Sequence, residues 1–137
     1  MILPPIQLPS KEIDCTVDQN AKSSFQRLSR KMDSLMNDVH TVWFDVTELL
    51  YESYYCQTTD KIYEQWVDKF HHTNEKLHHV EYVTEVIQKE VEGWSRQYAA
   101  HSPVTGEYGN MLNMRMQFII VTVRSSRDRI QTAWLGD

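Results

Sequence analysis

The chain has 137 residues, a mass of 16.2 kDa and a formal net charge of −5. This length suits one domain rather than a two-domain enzyme, and folding at this size buries roughly 68% of the unfolded surface, enough for a single core. Only four glycines and four prolines are present, too few for the turns of a Rossmann domain, a β-sandwich or a TIM barrel. The composition therefore points to helices. With 41% hydrophobic and 24% charged residues it argues against global disorder, and the acidic balance disfavours binding that rests on neutralising phosphates.

Residues 1–20 are expected to form an extended arm. Pro4, Pro5 and Pro9 oppose a helix at the start, while Ile2, Leu3, Ile6 and Leu8 give the arm something to dock with, on its own chain or on a neighbouring subunit. The arm has no basic region and does not read as a signal peptide. The remaining residues, 21–137, are expected to form one helical bundle domain.

A first helix is predicted over 21–52. Phe25, Leu28, Met32, Leu35, Val39, Val42, Val46 and Leu49 follow a heptad a/d alternation without a missed position. Met36, Trp43 and Leu50 broaden that face beyond what a two-stranded seam requires. A turn comes next, rich in tyrosine, with Thr58 or Thr59 as a helix cap and Asp60 in the next first turn.

The second helix is predicted over 60–98, where Tyr63, Trp66, Phe70, Thr73, Leu77, Val80, Thr84, Ile87, Val91 and Trp94 continue the same alternation. Gly93 is expected to shorten or bend it. Two long helices joined by a short connection lie antiparallel. Residues 99–110 read as a loop, because Ser102-Pro103, Thr105-Gly106 and Gly109-Asn110 are breakers. A third helix is predicted over 111–134 on Leu112, Met116, Ile119, Val123, Ile130 and Ala133. Ser126 is a polar gap, and Met111, Phe118 and Val121 widen the apolar face. The segment 117–123 is β-prone by propensity, but the spacing around it is helical. The longest apolar run, Phe118 to Val121, is far short of the ~20 residues of a membrane helix, so no membrane insertion is expected. The fold class is all-α: a bundle of three main helices, two of them long and antiparallel, with an N-terminal arm.

Chemistry-bearing residues are few. His71, Glu75, His78 and His79 stack on one side of the second helix, and Glu75-xx-His78 has the carboxylate-plus-imidazole spacing of half a di-metal site. These four are the candidate metal ligands, for zinc or nickel. The competing assignment is a solvated helix face, with Glu75 pointing away from the apolar stripe. Arg124, Arg127 and Arg129 are the candidate anion- or nucleic-acid-binding group, against a solvated face interrupted by Asp128. Cys15 and Cys56 form no CxxC pair and fit a reduced cytosolic protein or a single disulfide equally well. No catalytic residues and no organic cofactor are assigned. Aromatic side chains supply the candidate interface: Tyr51, Tyr54, Tyr55, Trp66, Tyr82 and Trp94.

One family resemblance rests on a helix–turn–helix pattern over about residues 22–95, with Tyr63, Trp66, Phe70 and Leu77 in phase after the turn. In this respect the chain resembles the WXG100 hairpins exported by type VII secretion systems. Tyr54-Tyr55-Cys56 stands where that family has Trp-x-Gly, and Trp134-Leu135-Gly136 falls at the end of the chain. The resemblance implies a secreted, dimeric, non-enzymatic helical partner protein. The residues themselves support a homo-oligomeric, dimeric interaction or assembly subunit that contacts another protein, with a cytoplasmic location. Export without a conventional signal peptide is the alternative.

Overall fold

In a computed structural model of the chain, the backbone is described over residues 10–55 and 60–133, and side chains from Gln19 to Tyr54 and from Ile62 to Ala133. Three helices account for it: α1 (Ser10–Tyr55), α2 (Asp60–Tyr98) and α3 (Pro103–Ala133). No strand occurs among the described residues. Residues 1–9, the side chains of Cys15 and Tyr55, Cys56, the cap candidates Thr58 and Thr59, and Trp134-Leu135-Gly136 lie outside the described set.

Each helix packs against the other two. Lys31 pairs with Glu90 (3.0 Å), Asp45 with Lys76 (3.4 Å) and Glu52 with Lys69 (2.9 Å). Numbers rise along α1 as they fall along α2, so these two run antiparallel. Phe25 stacks on Tyr108 at 4.5 Å, and Arg129 lies 4.1 Å over the Trp43 ring. Here numbers rise together, so α1 and α3 run parallel and the topology is up-down-up. Most of the a/d positions read from the sequence form the core, joined by Ala21 and Ile120, while Phe25 and Phe70 pack partly buried at its edge. Met32, Val46, Leu77, Leu112, Ile119 and Ile130 are fully buried.

The stripe also carries Thr84 and Ser126 into the interior. Each hydroxyl donates to a carbonyl one turn back in its own helix, Thr84 to Val80 (2.7 Å) and Ser126 to Thr122 (3.0 Å). Local back-bonding of this kind lets a small polar side chain sit in an apolar layer without an unmet donor.

Two tryptophans pin α2 to α1. The Trp66 indole N–H donates to the Leu49 carbonyl at 3.3 Å, and that of Trp94 donates to the Ala21 carbonyl at 3.2 Å. A helical carbonyl has a second lone pair beyond its own ladder bond, so the pins do not break α1.

The structure corrects three expectations. α1 starts at Ser10, not near residue 21. Proline restricts the residue before it and its own turn, and no proline or glycine lies between Ser10 and Asn20 to stop a helix. Gly93 does not shorten α2, which runs through it to Tyr98, the end that its spacing predicts. The loop between α2 and α3 spans only 99–102, because α3 starts at Pro103.

The reason for that early start is a capping box. The Ser102 hydroxyl accepts from the Thr105 amide (3.1 Å), and the Thr105 hydroxyl accepts from the Ser102 amide (3.0 Å). Pro103 takes the first helical position, where its missing N–H costs nothing. Gly109 is buried, its Cα side lying against Ala99 and the Trp94 ring. A Ser102→Ala variant is expected to lose about 1 kcal/mol and roughly 3–6 °C in Tm, read by circular dichroism. An unchanged melting curve would show that the hydroxyl is not the cap.

Candidate functional site

The histidine-rich face of α2 divides into two flanks. His71 sits edge-on to Phe70, with ring centroids 5.8 Å apart. His78 Nδ1 lies 3.4 Å from an Arg127 guanidinium nitrogen and 3.5 Å from Glu81. His79 turns to the other flank, where it lines an open groove of about 310 Å³ with Asp38, Val42 and Lys76. Glu75 lies exposed between the flanks. Among the described residues no three His, Cys, Asp or Glu side chains are grouped to hold a metal ion. His71, Glu75, His78 and His79 therefore do not converge. Arg127 also places a permanent positive charge against His78, where a metal cation would have to sit.

Arg127 is spent on the bundle. Its Nε donates to Glu81 at 3.2 Å, and Nη1 donates to Asn74 Oδ1 at 2.6 Å. Arg129 is half-buried over Trp43. Of the three arginines in the sequence cluster, Arg124 is the exposed one. An anion-binding patch needs them on one free face, and they are not on one.

The aromatic candidates also separate. Trp66 and Trp94 are 3% and 4% exposed and belong to the core between α1 and α2, so they do not form part of an outer surface. Tyr51 and Tyr54 are exposed at the end of α1, and Tyr82 is exposed on the outer face of α2. Tyr82 lies roughly 20 Å along the bundle axis from the other two, at ~1.5 Å per residue. Tyr55 lies outside the described side chains.

A surface that helical spacing alone merges with the core emerges on α3. Met111, Phe118 and Val121 do not widen its buried face. With Val104 and Met114 they form a second stripe, exposed by 50% to 73%. At ~100° per residue this stripe sits about 140° around the helix from the buried one. Its members repeat the heptad a/d spacing. That repeat is visible in the sequence, but it is interleaved with the stronger inner series.

No family model, curated protein or solved structure matches this chain. The site must be read from its own chemistry. Among the described residues no helix is long and apolar enough to cross a membrane. The α3 stripe is an apolar patch on the order of 500 Å², near the top of what a monomeric surface shows.

Proposed function

We propose that this chain is a non-enzymatic helical interaction or assembly subunit. The observation that supports the reading is the α3 stripe. The three helices already fill their own core, so Val104, Met111, Met114, Phe118 and Val121 contribute nothing to it from outside. Exposed methionine and phenylalanine at heptad spacing are suited to the face of another helix. The mechanism is burial of these side chains between helix faces, and the location proposed is the cytoplasm.

The test is site-specific photo-cross-linking in the cells that make the protein. A photoreactive residue at position 118 is expected to give one or two discrete cross-linked species. The same residue at Glu92, on an exposed polar position of α2, is expected to give none. Equal, diffuse labelling from both positions would refute the interaction reading.

A second reading takes up the likeness to WXG100 hairpins. It is favoured by the long antiparallel α1–α2 pair, Ser10–Tyr55 and Asp60–Tyr98. It differs in location: the chain would be recovered from the culture medium of intact cells, not from their lysate.

A further inference from the structure

The α3 stripe can be assigned an occupant, and this inference rests on the interaction reading above. We propose that it docks against the α3 stripe of a second copy of this chain, antiparallel, about a twofold axis passing between Met114 and Phe118.

Three features of the stripe support self-pairing in that direction. The first is its layer pattern. In an antiparallel pair, a positions of one helix meet d positions of the other. About the proposed axis Met114 meets Phe118 of the second copy and Met111 meets its Val121, each twice by symmetry. All four residues are exposed by half or more.

The second feature is charge. A parallel pair would set Glu107 against Glu107 and Asp128 against Asp128 along the seam, and Arg124 close to Arg129. Like charges held together in a partly dry seam are unfavourable. The antiparallel pair instead brings Glu107 beside Ser125 and Arg124 of the second copy and sets Asp128 at the solvated end of the seam against Val104, away from its own copy. Glu107 and Arg124 are both exposed in the single chain. Arg115 flanks the axis and would face its own copy, but it already pairs with Asp33 and donates to Ser29 at 2.6 Å. Its charge is therefore balanced within each subunit. Gln117, the other residue at the axis, meets its own copy with an amide that both donates and accepts.

The third feature is area. Two patches on the order of 500 Å², with their polar flanks, reach the ~1,200 Å² at which specific interfaces begin. The pairing is therefore reversible and concentration-dependent rather than obligate.

The experiment is light-scattering mass after size exclusion over a concentration series. The wild-type chain is expected to rise from 16.2 kDa toward twice that mass. Phe118→Glu is expected to raise the dimer dissociation constant by about a hundredfold or more, with unchanged helicity because the side chain lies outside the core. Tyr82→Glu, an equally exposed aromatic on α2, is expected to leave dimerisation unchanged. Glu107→Arg is expected to weaken the dimer, and adding Arg124→Glu to restore it.

A wild-type chain that stays at 16.2 kDa at every concentration overturns the proposal, as does a dimer indifferent to Phe118→Glu. Failure of the paired charge reversal to restore association overturns the antiparallel register. The cross-linking at position 118 separates the causes. A monomer that cross-links there to a different protein refutes self-pairing and leaves the interaction reading standing. A cross-link into residues 1–9 of the same chain makes the arm the occupant and refutes self-pairing. A monomer with no discrete product at position 118 refutes both.

Discussion

Replacing Trp94 with alanine is expected to lower the unfolding free energy by about 3–5 kcal/mol, among the largest effects open to a single truncation. The indole is 4% exposed and meets several parts of the fold at once. Its ring packs with Phe25 and Tyr98, at centroid separations of 6.3 and 5.5 Å. Its edge lies 3.5 Å from where a side chain at Gly109 would begin. Its N–H reaches the Ala21 carbonyl. Alanine would leave a cavity where all three helices meet. Trp94→Phe keeps most of the apolar volume and removes the donor, so it is expected to cost distinctly less. Urea unfolding monitored by circular dichroism gives both values. If the two variants were equally destabilised, the hydrogen bond rather than the packing would be the source of the effect.

The second large effect comes from the run Phe118-Ile119-Ile120-Val121. Ile119→Ala is expected to cost about 2–5 kcal/mol, because the side chain is fully buried. Val121→Ala is expected to change stability by about 0.5 kcal/mol or less in dilute solution, where the chain is not associated. The contrast tests the secondary structure directly. In a strand, residues two apart share a face, and both substitutions would cost the same. In α3 these two side chains point to nearly opposite sides. Comparable losses at both positions would revive the β reading that local propensity allows.

How much of this was legible depended on whether the deciding contact was local. The a/d stripes of α1 and α2 specify their own core, and α2 begins at Asp60 and ends at Tyr98 as the spacing predicts. Both misplaced helix starts lie just after a breaker, and a breaker sets a boundary only together with the residues on its C-terminal side. Ser102-Pro103 looks like a stop, yet a serine cap before a proline at the first helical position is how a helix begins. The reciprocal Thr105 completes that signal three residues later. The histidine cluster was left open between a metal site and a solvated face for a different reason. Its spacing is a local fact, but Arg127 reaches it from another helix, and nothing within 71–79 announces that guanidinium. The outer stripe of α3 was hidden by interleaving, since its 3,4 series runs beside the stronger inner one and so reads as a widening of a single face.

The tryptophan pins have a consequence for how long this molecule needs to be. Trp66 and Trp94 stand four heptads apart on α2, and their acceptors Leu49 and Ala21 stand four heptads apart on α1. The Lys31, Asp45 and Glu52 ion pairs keep the same phase, two heptads and then one heptad apart. Excising one seven-residue block at the same level from each helix leaves every remaining neighbour where it was. Removing four residues from α1 alone turns everything beyond the cut by about 40° and carries Leu49 out of reach of Trp66. Length in this bundle is therefore quantised: related chains can differ by steps of about 10 Å along the axis, and both ends stay fastened at every permitted size.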